Sequence, residues 1–104
     1  MPQDMKENEL FLSLLVSHQK RIYAYILSLV PRITEAEDIM QQTTIAMWKK
    51  FDSFETNSNF LAWGIQIAKY HVFKFRSRQA KNHRILEPEV LEKISESQQN
   101  RPSN

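Results

Sequence analysis

A chain of 104 residues, 41% hydrophobic and carrying six phenylalanines, three tyrosines and two tryptophans, has material for one modest core and therefore for one domain. It has no cysteine, which excludes a disulfide framework, a thiolate nucleophile and a cysteine-held metal, and its single glycine leaves little for hairpin turns, so the fold class is all-α. The formal net charge of +2 is strongly segregated: residues 1–55 hold six basic and eight acidic side chains, whereas residues 56–84 hold Lys69, Lys74, Arg76, Arg78, Lys81 and Arg84 and no acid. Residues 85–104 return to two basic and four acidic side chains. An acid-free basic stretch is the footprint of a polyanion, with nucleic acid favoured over a membrane surface because the apolar residues of this stretch are needed inside. No apolar run nears the ~18–20 residues of a membrane span, and MPQDMKENEL is not a signal peptide, so the expected location is the cytoplasm.

The first helix is predicted from Asp4 or Asn8 to Val30, ended by Pro31, with Phe11, Leu14, Leu15, His18, Ile22, Tyr25, Ile26 and Leu29 as its buried stripe. His18 on that stripe reads as a hydrogen-bonded boundary histidine. The second helix is predicted from Thr34 to about Lys50, opening with a capping box, Thr34-x-x-Glu37. At about 100° per residue, Ala36, Ile39, Met40, Thr43, Ala46 and Met47 gather on the side a core would bury. Glu37, Asp38, Gln41, Gln42, Thr44, Ile45 and Trp48 fall on the other side. Asp38, Gln41, Gln42 and Ile45 follow the i, i+3, i+4, i+7 spacing of one stripe, and an isoleucine and a tryptophan among short acids and amides suit a docking partner better than water. A solvated face with two stray hydrophobes is the plainer reading of the same residues.

The segment 51–59, rich in turn formers, is predicted as a loop. The third helix is predicted from Ser58 or Asn59 to Gln79 or beyond, with Phe60, Gly64, Ile67, Ala68, His71 and Phe75 as its core stripe and Leu61 and Val72 beside them. Gly64, mid-helix, marks close helix packing. Trp63, Gln66, Tyr70, Phe73, Lys74 and Ser77 lie opposite that stripe or on its flank, where aromatics beside cations can stack on unpaired bases. Trp63 and Tyr70 also fit burial in a bundle, and both readings stand. A short fourth helix over about 88–97 and a disordered tail complete the pattern. His18, His71 and His83 are too scattered for a metal site, and one glycine cannot build a phosphate loop, so no metal, cofactor or catalytic centre is expected. Acids at Glu35 and Glu37 belong to a helix first turn, where the macrodipole favours them.

In order, YAYILSLVP, AEDIMQQTTIAMW, FDSF and NFLAWGIQIAKYHVFKFRSRQ resemble region 2 of the bacterial extracytoplasmic-function sigma factors, specificity subunits of RNA polymerase, over roughly Leu10 to Arg84. The resemblance implies a three-helix bundle over 1–84, followed by the start of an interdomain linker over 85–104. It implies that Asp38, Gln41, Gln42, Thr44, Ile45 and Trp48 dock on the clamp helices of the polymerase β′ subunit, with Gln42 departing from the glutamate usual there. It implies that the loop from Asp52 to Asn59 captures a flipped base of the minus-ten promoter element on the non-template strand. Phe54, Asn57, Ser58 and Asn59 carry that loop's chemistry, Phe54 by stacking or by anchoring the loop and the others by reading a base edge. Trp63 matches one tryptophan of the pair that primary sigma factors use at the melting point, and Gly64 replaces the other. Lys69, Lys74, Arg76 and Arg78 would hold the phosphate backbone, and Phe73, read from the helix face itself beside Lys74 and Arg76, joins them as a stacking residue. An anti-sigma factor, where one exists, would cover the 38–48 face. Full-length members add a C-terminal helix-turn-helix domain, which nothing after Arg84 resembles, so a fragment is the expectation. The competing reading from another class is a small helical interaction adaptor without specific DNA recognition. A general helix-turn-helix regulator is disfavoured, because no compact helix–turn–helix is apparent.

Overall fold

The computed structural model describes residues 4–85. Three helices form in chain order: α1 (Met5–Leu29), α2 (Ile33–Lys50) and α3 (Phe60–Ile85), with a short 3-10 turn at Phe51–Ser53 extending α2. Each helix packs on the other two, giving the expected three-helix bundle, and no strand occurs among the described residues. The expected fourth helix over 88–97 and the tail lie outside the described residues.

α1 begins where the Asp4 side chain accepts from the Lys6 amide at 3.1 Å, satisfying one of the free donors at the helix start. It ends before Pro31, whose ring cannot continue a helix. The capping box at the start of α2 does not form. The helix starts one residue earlier than predicted, at Ile33, so Thr34 is already inside the first turn and cannot serve as its cap. Arg32 takes the cap position in extended conformation, its carbonyl accepts from the Ala36 amide at 2.9 Å, and its guanidinium lies 3.8 Å from Glu35.

The core is built from Phe11, Leu15, Ile22, Ile26 and Val30 of α1, Ala36, Ile39, Thr43 and Met47 of α2, Phe51 of the turn, and Phe60, Ala68 and Val72 of α3. Thr43 is a buried hydroxyl without penalty, because it donates to the Ile39 carbonyl at 2.8 Å. His18 is the expected boundary histidine: its Nδ1 lies 2.7 Å from the Leu14 carbonyl, which only accepts, so Nδ1 carries the proton. Phe11 is the hub of an aromatic cluster, with ring centroids 5.3 Å from Trp48, 5.1 Å from Phe51 and 6.2 Å from Phe60, all edge-on. The buried line of α3 runs through Phe60, Gly64, Ala68 and Val72, while Ile67, His71 and Phe75 are only half-buried. Gly64 explains that register. A Cβ there would stand 2.8 Å from Ile22 Cδ1 and 2.9 Å from Met47 Cε, so glycine lets α3 sit down on both other helices.

Candidate functional site

Three surfaces carry the candidate residues: one on α2, one in the loop after it and one on α3. On α2 itself, Asp38, Gln41 and Ile45 are exposed on one stripe. Gln42, Thr44 and Trp48 are half-buried. Thr44 spends its hydroxyl proton on the Met40 carbonyl at 2.9 Å, and the Trp48 ring leans back onto Phe11. Gln42 turns toward α3, lining a groove of about 220 Å³ with Asp38, Ile39, Phe75, Arg78, Gln79 and Asn82. The exposed stripe is therefore narrower than the sequence suggests.

The loop between α2 and α3 is tied down at both ends. Phe54 stacks on Phe51 at 5.7 Å and packs against Phe60 at 5.5 Å and Trp63 at 4.9 Å, so of its two expected roles it takes the anchoring one. Trp63 is half-buried in the same cluster. Ser58 donates its hydroxyl to the Glu55 carbonyl at 2.6 Å, closing a turn. Asn59 is the cap of α3: its Oδ1 accepts from the Ala62 amide at 3.0 Å. Asn57, by contrast, is exposed and makes no side-chain hydrogen bond among the described residues. Substituting these two asparagines should separate their jobs. Asn59→Ala is expected to destabilise the domain by about 1 kcal/mol in urea unfolding. Asn57→Ala should leave stability unchanged within ~0.5 kcal/mol.

The outer face of α3 is cationic and aromatic together. Tyr70 is 59% and Phe73 52% exposed, and a lysine lies over each ring, Lys74 Nζ at 5.9 Å from Tyr70 and Lys69 Nζ at 5.7 Å from Phe73. Tyr70, Phe73, Lys74, Ser77, Arg78 and Lys81 line one shallow depression. Tyr70 and Ser77 lie on the helix face that the sequence marks for stacking, Lys81 belongs to its acid-free stretch, and the i, i+4, i+7, i+11 spacing of Tyr70, Lys74, Ser77 and Lys81 brings them onto one side of α3. Arg76 does not belong with them. Its Nη2 donates to the Leu29 carbonyl at 2.8 Å, so the guanidinium is drawn to the C-terminal end of α1. His71 is half-buried beneath this face with Nδ1 shielded and unpartnered. Burial first, and then the positive charges of Lys74, Lys50 and Arg78, push its pKa below the ordinary imidazole value, which keeps it neutral at neutral pH.

Among the described residues, no group of three or more histidines and acids could hold a metal ion, and no helix is long and apolar enough to cross a membrane. A comparison with known families matches residues 14–82 to sigma-70 region 2. The chain belongs to that family. No curated protein and no solved structure matched the chain. Sigma-70 region 2 domains are parts of transcription initiation factors, not catalytic enzymes, and they bind RNA polymerase core and promoter DNA. For a region 2 domain the layout divides naturally into a polar stripe on α2, an anchored loop with one free asparagine, and a basic aromatic face on α3.

Proposed function

We propose that this region 2 domain is that of an extracytoplasmic-function sigma factor, and that it docks through α2 on the β′ clamp helices and opens the minus-ten element. The observation that carries the reading is the separation of faces. The acid-free, aromatic face of α3 follows the loop that ends in Asn57, Ser58 and Asn59 along the chain, while Asp38, Gln41 and Ile45 are exposed on α2, where Asp38 borders a groove shared with Arg78. Two partners can be held at once by such a domain. As a partner of RNA polymerase it acts in the cytoplasm.

The mechanism is binding thermodynamics, with no bond made or broken. Extruding a base costs a few kcal/mol. Stacking on an exposed aromatic returns ~1–3 kcal/mol per base, and release of counterions from phosphates along Lys69, Lys74, Arg78 and Lys81 offsets the remainder. Asn57 offers both a donor and an acceptor to the captured base of the non-template strand. Phe54 and Trp63 hold the loop's base in place from below, and Asn59 fixes where α3 begins. Position 64 points at Ile22 and Met47, so the melting face has one tryptophan, Trp63. An anti-sigma factor acting by occlusion would cover Asp38, Gln41 and Ile45.

Capture on immobilised core polymerase tests the docking face. Asp38→Ala with Gln41→Ala is expected to weaken capture about tenfold or more, a loss of about 1.4 kcal/mol that places the pair among the few interface residues carrying most of the binding energy. Capture equal to wild type removes α2 from the role. Binding to single-stranded minus-ten oligonucleotides tests the loop: sequence preference should disappear in Asn57→Ala. Indifference of the wild-type domain to every base change, in the polymerase complex as well, would leave only an interaction adaptor.

A further inference from the structure

The apolar arc of α1 is wider than the bundle covers. Besides the stripe that enters the core, Met5, Leu12 and Val16 are 70%, 54% and 66% exposed, and Tyr23 and Leu27 continue their line as half-buried residues. At about 100° per residue, Met5, Leu12, Val16 and Tyr23 fall within some 40° of one another, with Glu9 and Lys20 together on one flank. None of these residues belongs to the α2 stripe, the loop or the outer face of α3. A row of large apolar side chains at helical spacing on a domain of this size marks a contact surface.

The order of residues along the row says what it fits. Laid antiparallel on a copy of itself about a twofold axis level with residue 14, Leu12 meets Val16 and Met5 meets Tyr23. A twofold axis perpendicular to both helices keeps each flank on its own side, so Glu9 of one copy comes beside Lys20 of the other. Symmetry makes every one of these contacts twice. Apolar residues face apolar residues along the row, and Glu9 faces Lys20 on its flank, with Lys6 further round the helix. We propose that this face is a dimer interface, α1 against α1 antiparallel, between two copies of this chain. The inference is independent of the roles assigned to α2 and α3.

Sedimentation and light scattering of the whole chain over rising concentration test it. Wild type is expected to shift from monomer to dimer. Val16→Lys, which places a charge beside the axis on an exposed position, should stay monomeric while its circular dichroism matches wild type. Glu9→Lys and Lys20→Glu should each weaken dimerisation several-fold, and the double reversal Glu9→Lys with Lys20→Glu should return it to within about twofold of wild type, because the pair is restored with its signs exchanged. A wild-type chain that is monomeric at every concentration overturns the proposal and leaves the face to a different occupant. So does a dimer indifferent to Val16→Lys, or a double reversal no better than either single change.

Discussion

Replacing Phe11 with alanine is expected to destabilise the domain by about 3–5 kcal/mol in urea unfolding, the range for removing a fully buried phenylalanine. Phe11 is 2% exposed, and its ring is the common partner of Trp48, Phe51 and Phe60. Its removal therefore empties space among three aromatics from three different elements, which cannot all close on one cavity. A domain of this size has only about 5–15 kcal/mol of total stability, so the variant should unfold at a much lower urea midpoint. The same substitution at Phe73 provides the internal comparison. That ring is 52% exposed on the outer face of α3, and Phe73→Ala should change stability by less than about 1 kcal/mol. A Phe11→Ala loss no larger than the Phe73→Ala loss would show that the aromatic cluster does not organise the core. The loop depends on the same cluster, since Phe51 and Phe60 bracket Phe54. Binding to single-stranded DNA should therefore fall in Phe11→Ala even at temperatures where the helices persist.

Much of this arrangement is legible in periodicity alone. The buried side of α2 at Ala36, Ile39, Thr43 and Met47 follows directly from 3.6-residue spacing, as does the line of Phe11, Leu15, Ile22 and Ile26 in α1. Periodicity places a Cβ, however, and not the far end of a long side chain. Trp48 sits on the outer side by angle, yet its ring swings back to Phe11. The register of α3 shifts toward Val72 because Gly64 and Ala68 allow close approach on that line, and this depends on what Ile22 and Met47 present to it. Helix starts are harder still. Thr34-x-x-Glu37 has the spacing of a capping box, but one residue of difference in the first turn moves the cap to Arg32. Asn59 shows the reverse problem: one residue type suits both a cap and a base contact, and only the bond from the Ala62 amide distinguishes them. The contact of Arg76 with Leu29 joins residues 47 apart, and no local pattern encodes it. Charge segregation survives folding in part: Lys74 and Lys81 stay on a face without acids, while Arg78 shares a groove with Asp38 and Arg76 one with Glu35.

Changing Lys69, Lys74 and Arg78 together to glutamine should nearly abolish binding of single-stranded DNA. Each phosphate contact on a single strand contributes about 0.7 to the slope of log affinity against log salt. Losing three lowers the slope by about 2, and at ~0.1 M salt that corresponds to a loss of roughly a hundredfold. Arg76→Gln is the decisive contrast, because it removes the same charge from the same helix. Its guanidinium is engaged with the Leu29 carbonyl, so the change should cost about 1 kcal/mol of stability and leave the salt slope within error of wild type. Fluorescence anisotropy titrations at four or five salt concentrations measure both slopes. An Arg76→Gln slope that falls as far as one third of the triple variant's change would return Arg76 to the phosphate-contacting set. A triple variant that binds like wild type would remove the α3 face from nucleic-acid binding altogether. The stacking residues predict a further distinction. Tyr70→Ala and Phe73→Ala should weaken binding by ~1–3 kcal/mol per base contacted while preserving the slope, since stacking releases no counterions. Affinity and salt dependence thus report different side chains of one helix face, and the alternation of Lys69, Tyr70, Phe73 and Lys74 along α3 supplies both terms within two turns.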